Sequence, residues 1–439
     1  MKLIHKLPVF LLLILPLTLS GQKRWTLEEC IRYAWENNLR IKQQELAIEQ
    51  SKNNVVQAKY AFAPTVSGSI SHNMNWGRSV NMQTLEIIEN KLSQSSGMSV
   101  RASVDIFEGN KKVNDLKNKE VFYEIAMQNT IKMKNDISLE ISRSFLQVLL
   151  SRDILASAKS SLSSVQAQAE RSKKLVDAGS QAYGPYLEIT AQLAREKVQV
   201  VNAENQLRAN LLSLKQLLDL PGDNDFDIAV PSVNLDNLSF MGESVENIYT
   251  AALGLPQIKS AELSHTSSKI QLKLAQGRHL PTLSFSAGYG TNYSDSRSDA
   301  FFQQLKDNRN PSIGFSLSVP IFTSFSIKTG VKNAKLDIIK YEIDLKNTQQ
   351  ALYKEIQQVV NDASSQYAQM KASAENVKAM EESFRYVQQK FDVGAANATD
   401  YTVAKTNLFK AQSDLLQSKY QLLFQLKVLD FYKGKPISL

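Results

Sequence analysis

The residues in this chain that could break or make bonds are not spaced for it. The four histidines are His5, His72, His265 and His279. His5 falls in an apolar leader and His72 in an alternating segment, while His265 and His279 stand 14 residues apart in a helical one. None has metal-ligand spacing with a cysteine or a cluster of carboxylates. Cys30 is the only cysteine, so no intrachain disulfide can form, and it reads as a packing residue of the first helix. Glu381 and Glu382 lie among Glu375, Lys378 and Arg385, which is the pattern of a solvated helix face rather than an acid/base pair. No catalytic, cofactor-binding or metal-ligating residue is expected, and the chain does not read as an enzyme.

The informative spacing is longer. An apolar residue recurs every seventh position at Ile141, Val148, Leu155, Leu162, Ala169 and Val176. The same register returns 215 residues later at Ile356, Ala363, Met370, Val377, Phe384 and Phe391. A seven-residue apolar period marks helices that supercoil against neighbours, and its repetition marks two equivalent halves. Each run ends at a glycine, Gly179 or Gly394, and follows a phenylalanine, Phe107 or Phe322. The predicted long helices, 108–178 and 323–393, are each about 70 residues, or roughly 105 Å at 1.5 Å per residue. Shorter helices are predicted over 25–63, 185–218, 244–280 and 398–431, with Pro64 and Pro281 as stops. Two short helices laid end to end match one long helix, which is the geometry of an elongated bundle.

After each of those prolines the period changes to two. Val66, Gly68, Ile70, His72, Met74 and Trp76 alternate with Ser, Thr and Asn, and Met98, Val100, Ala102, Val104 and Ile106 alternate with Ser99, Arg101, Ser103 and Asp105. The second half repeats the pattern at Leu283, Phe285, Ala287 and Tyr289, and at Ile313, Phe315, Leu317, Val319 and Ile321. Such segments suit a soluble antiparallel sheet or a membrane barrel; a polar face of Ser, Thr, Asn and Gly with an occasional charge, in an exported chain, favours the barrel. Polar stretches 77–95 and 294–309 are expected to be loops. The division that follows is a leader at 1–20, a first repeat at 21–218, a linker at 219–243 with a short strand near 226–230, and a second repeat at 244–439.

Residues 1–20 have the parts of a secretory signal: basic Lys2 and Lys6, an apolar run too short for a bilayer that needs about 20 residues, and small Thr18 and Ser20 before cleavage. Without Lys2 and Lys6 the net charge falls from +8 to +6, spread along helix faces; no basic block points to nucleic acid. Four strands cannot close a barrel, and an open edge in lipid leaves unpaired backbone groups costing several kcal/mol each. Three chains supply about twelve strands, within the known range for such barrels.

In these features the chain resembles the TolC-like outer-membrane efflux channel family. The residues that carry the resemblance are Trp25-Thr26-Leu27-Glu28-Glu29-Cys30, Pro64, Pro281, Val319-Pro320-Ile321-Phe322, the turns at Gly179 and Gly394, Thr399-Asp400-Tyr401 and Leu408. It implies a mainly helical homotrimer: a twelve-stranded barrel in outer-membrane lipid continued by a helical periplasmic tunnel, serving as the exit duct of tripartite efflux or type I secretion. Its implied partners are a periplasmic adaptor and an inner-membrane transporter of the RND or ABC class. The hairpin tips, Asp177, Gly179, Ser180, Gly184, Pro185, Gly394, Ala395, Asn397 and Thr399, would be the adaptor-docking surface. Asp400 matches an acidic position that narrows the family's entrance, although Val403 stands where a second acid is expected; Glu188 occupies the place equivalent to Val403 in the first half and is the candidate substitute. The competing readings are a helix-terminal role for Asp400 and, for the whole chain, a periplasmic coiled-coil adaptor without a pore.

Overall fold

A computed structural model describes residues 24–80, 84–222, 226–231, 234–240 and 242–439; the predicted leader lies outside them. Strand β1 (Arg24–Trp25) leads into helices α1 (Leu27–Asn37) and α2 (Leu39–Tyr60), then strands β2 (Thr65–Val80) and β3 (Ile87–Glu108). The long helix α3 (Lys111–Asp177) turns back into α4 (Tyr183–Leu217), and strand β4 (Asp227–Ile228) follows. The second half runs through α5 (Val245–Ala252), α6 (Pro256–Gly277), β5 (Thr282–Ser294), α7 (Phe301–Asp307), β6 (Asn310–Ser318), α8 (Ser326–Asp392) and α9 (Ala398–Tyr432). Helices α3 and α8 are each 67 residues long, about 100 Å at the α-helical rise.

The heptad positions form the seams between these helices. Ile141, Val148, Ile356 and Ala363 are fully buried, and Ala169, Met370, Val377 and Phe384 nearly so. Around the middle of the molecule Ile141, Phe145 and Val148 of α3 meet Cys30 and Ala34 of α1 and Leu214 of α4 in one core. Strand β4 completes this belt by pairing in parallel with β1. The Arg152 guanidinium of α3 donates to the Ile228 carbonyl oxygen at 3.0 Å and ion-pairs with Asp227, clamping the link between halves onto the bundle.

Two segments expected as continuous helices are broken. In 25–63, Trp25 belongs to β1, and Thr26 caps α1 through a reciprocal capping box with Glu29. Asn38 (φ −63°, ψ 127°) then leaves the helical region. Its side-chain oxygen accepts from the Arg40 N–H at 3.0 Å and its amide donates to the Leu217 carbonyl oxygen at 3.1 Å, so the buried break is satisfied. In 244–280 the interruption falls at Gly254-Leu255, and Pro256 opens α6 at a position where its missing N–H costs nothing.

The other four strands form one antiparallel sheet in the order β2-β3-β5-β6. β2 and β3 are longer than their alternation suggested: pairing continues from Thr65↔Ser103 up to Val80↔Ile87, so most of 77–95 is ladder rather than loop. Its polar composition does not prevent pairing, because a ladder is made by backbone groups whatever the side chains. The predicted loop 294–309 likewise contains α7, pinned by fully buried Gln304, whose side chain exchanges hydrogen bonds with both backbone groups of Ser294 at 3.0 Å. At the other end, β6 stops at Ser318, short of Val319 and Ile321.

The duplication reaches the backbone. Where β3 passes into α3, Gly109 (φ 55°) and Asn110 (φ 60°) are consecutive left-handed residues; 215 positions on, Ser324 (φ 48°) and Phe325 (φ 61°) repeat the bend before α8. Left-handed geometry at a bulky phenylalanine is uncommon, and its recurrence at matched positions makes it a built corner at the strand-to-helix junction.

Candidate functional site

The two hairpin tips are built alike. At the end of α3 the Gly179 N–H donates to the Val176 carbonyl oxygen at 2.9 Å and the Ser180 N–H to Leu175 at 2.8 Å. At the end of α8 the Gly394 N–H reaches Phe391 at 3.1 Å and the Ala395 N–H reaches Lys390 at 2.8 Å. Both are Schellman closures, and the glycines take φ values of 71° and 76°. A Cβ at either glycine would meet nothing, so left-handed geometry alone calls for glycine there. The helices that follow start differently. Asn397 caps α9 by accepting the Asp400 N–H at 2.7 Å, whereas α4 begins at Tyr183 without a side-chain cap, placing Gly184 and Pro185 inside its first turn rather than Pro185 at its start.

The tips of both hairpins share one core. Ala169, Ile189, Phe384, Ala398, Tyr401 and Leu408 pack together from α3, α4, α8 and α9. Tyr401 is inserted between the rings of Phe384 (5.4 Å) and Phe391 (5.0 Å), and its burial raises the phenol's pKa. Arg171 of α3 reaches Asp392 of α8 at 3.1 Å, tying one tip to the other. Asp400 and Glu188 each immediately precede a buried anchor, Tyr401 or Ile189, and each is exposed, Asp400 in the first turn of α9 and Glu188 in the second turn of α4. Asp177, Ser180, Gly184, Ala395 and Thr399 are exposed beside them. Among the described residues no group of His, Cys, Asp and Glu is placed to hold a metal.

At the other end, the sheet presents two unlike faces. Register puts Val66, Ile70, Met98, Val100, Phe285, Ile313, Phe315 and Leu317 on one side. They are uncovered: Ile70, Ile313 and Phe315 are 79%, 77% and 69% exposed. The opposite side carries Ser67, Ser69, Ser99, Arg101, Ser103, Asp105, Ser284, Gly288 and Ser312. Hydroxyls there bond to one another across strands, as at Ser69–Ser99 (2.8 Å), and Ser284 donates to the Asp105 carboxylate at 2.6 Å. An uncovered apolar sheet with a small polar reverse face is the surface of a lipid-embedded barrel wall. Among the described residues no helix is long and apolar enough to cross a membrane.

The outer membrane efflux protein family matches residues 30–219 and again 247–435, and the chain belongs to that family. It is accordingly an outer-membrane channel, an exit duct with a helical periplasmic tunnel, and not an enzyme; the adaptor reading without a pore falls with that membership. The outer membrane protein TolC of Vibrio cholerae is 21% identical over 421 residues, covering 95% of this chain and 92% of the relative. The alkaline protease secretion protein AprF of Pseudomonas aeruginosa is 22% identical over 68% of this chain and 61% of its own length. Among solved structures, the channel protein CusC superposes with a TM-score of 0.77 at 16% identity (95% of this chain, 96% of that one). The Campylobacter jejuni CmeC outer membrane channel superposes with a TM-score of 0.75 at 17% identity (94% and 87%).

Proposed function

We propose that three copies of this chain close into a twelve-stranded barrel, with their helices continuing it as one tunnel, and that the two repeats, 21–218 and 244–439, supply equivalent staves on either side of the 219–243 link. The observation that carries this reading is the four-stranded sheet with β2 and β6 as free edges and an uncovered apolar face. In lipid each unpaired edge group costs several kcal/mol, and joining β6 of one copy to β2 of the next, round a three-fold axis, removes both edges. The tunnel would take cargo from a periplasmic adaptor and an inner-membrane transporter of the RND or ABC class, docking through Asp177, Gly179, Ser180, Gly184 and Pro185 on one tip and Gly394, Ala395, Asn397 and Thr399 on the other. Light scattering in detergent, corrected for bound detergent, should give three chains. A monomer that stays in the soluble periplasmic fraction would overturn the reading.

Asp400 and Glu188 are assigned to the periplasmic entrance, because each stands exposed at a hairpin tip with its neighbour anchored in the tip core. Three copies of Asp400 about one axis would form a site for multivalent cations. The cap itself belongs to Asn397, so Asp400→Asn removes the charge and leaves the capping bond in place. Single-channel recordings of that variant should show weaker cation preference and little block by multivalent cations added on the periplasmic side. Unchanged block would leave Asp400 as a helix-end residue and move the entrance to Glu188.

A further inference from the structure

Among the described residues, the middle of the sheet's polar face carries one cation, Arg101, with no counter-charge beside it. Arg101 stands in the middle of β3, with Ser67 opposite it on β2 and Gly288 opposite it on β5. Its neighbours along the same face are Ser99 and Ser103 on β3, Ser69 and Thr65 on β2, and Ser286 and Gly290 on β5, none of them acidic. Asp105, the nearest carboxylate on β3, is four residues away, roughly 13 Å along a strand, and is held by Ser284. Arg101 is exposed, and next to Ser and Gly its side chain is by far the longest on this stretch of wall.

From this we infer that Arg101 makes the barrel lumen an anion-selecting passage. The inference rests on the trimeric barrel proposed above: three guanidinium groups would project into the bore at a level where their neighbours on the wall are hydroxyls and bare backbone. A barrel of twelve strands spaced about 4.8 Å apart and tilted about 40° has a radius on the order of 12 Å at the backbone. The screening length at physiological salt is about 8 Å, and the arginines reach inward from the wall, so their field spans most of the bore. A guanidinium presents paired donors that fit carboxylates and phosphates, so anions bearing those groups are the class it would favour and retain. The charged level lies in the barrel, a molecule's length from Asp400 at the hairpin tips, and the two act on a passing ion in sequence.

The test is the reversal potential of purified channels in planar bilayers under a KCl gradient, comparing wild type, Arg101→Gln and Arg101→Lys. The glutamine variant should lose at least two-fold in the chloride-to-potassium permeability ratio, and the lysine variant should keep the wild-type ratio. Pyrophosphate added on the outer side should reduce wild-type current and leave the Arg101→Gln current unchanged. A wild-type protein that forms no channels overturns the trimeric barrel and this inference with it. Conducting channels whose permeability ratio and pyrophosphate response are the same in wild type and Arg101→Gln overturn the inference alone. If the glutamine variant fails to insert, Arg101→Lys decides through phosphate recognition: a lysine keeps the charge but not the paired donors, so pyrophosphate should act more weakly on it, and equal action by wild type and lysine variant counts against a guanidinium site.

Discussion

Gly109→Val should abolish assembly of the channel in the outer membrane, with little or no heat-resistant oligomer recovered from detergent extracts. Two independent penalties meet at this residue. Its φ of 55° lies in the left-handed region, where a β-branched side chain is strained by about 1–3 kcal/mol. A Cβ there would also stand 2.2 Å from the Gly277 carbonyl oxygen and 3.1 Å from Leu280 Cβ, and the approach is reciprocal, because a Cβ on Gly277 would lie 2.4 Å from the Gly109 carbonyl oxygen. The two shortest approaches are to backbone carbonyl oxygens, which cannot swing aside as a side-chain end can. The pinch joins the corner between β3 and α3 to the last residue of α6, where the helices feed the sheet. The matched corner shows which penalty dominates: Ser324 and Phe325 take left-handed φ with full side chains, so the conformation alone is survivable. Gly277→Ala isolates the steric part and should also lower the yield of oligomer. Gly330→Ala, inside α8 with open space around it, should be neutral or stabilise by up to about 1 kcal/mol per chain. Wild-type yield of Gly109→Val would show that the two backbones can part without consequence.

That pinch was not legible in the sequence, whereas the frame that holds it was. The heptads at Ile141 and Ile356 identified the buried seams because periodicity reports which face of a helix is covered. Gly179 and Gly394 identified the hairpins because a left-handed cap leaves its mark on residue type. The break at Asn38 was missed since its signal, one asparagine in a helical run, becomes a cap only when Leu217 from α4 supplies a carbonyl for its amide. Pro256 was a local signal and could have placed the start of α6. Strand ends escaped for another reason: an irregularity between Gly77 and Ser79 shifts the register, so the alternation is interrupted while pairing continues to Val80↔Ile87. Gly109 and Gly277 lie 168 residues apart, and only the fold brings them together. Arg101 was visible as a charge interrupting a run of serines, but its isolation depends on Ser67 and Gly288 becoming its partners across the sheet.

Phe315→Arg and Ser316→Arg should have opposite fates although the two residues are adjacent. Successive residues of a strand point to opposite faces. Phe315 stands on the apolar side, 69% exposed, opposite Phe285, with the two rings 5.1 Å apart. Ser316 stands on the polar side, opposite Ser284, whose hydroxyl is bonded to Asp105. An arginine at a lipid-facing position of a barrel costs about 2–4 kcal/mol near the bilayer midplane and less toward the interfaces. Here the loss of the aromatic pair adds about 0.5–1.5 kcal/mol. Each chain of an oligomer bears the same penalty, so the effects accumulate: about 2 kcal/mol per chain becomes about 6 kcal/mol for three, enough to favour chains left outside the membrane. At Ser316 the added guanidinium would enter a wet lumen within reach of the Asp105 carboxylate and should cost little. The measurement is the amount of heat-resistant oligomer in purified outer membranes, with total expressed protein as the reference. Phe315→Arg should reduce it at least ten-fold, and Ser316→Arg should leave it within two-fold of wild type. Equal recovery of both variants would mean that the apolar face does not meet lipid, and a loss confined to Ser316→Arg would reverse the assignment of wall and lumen.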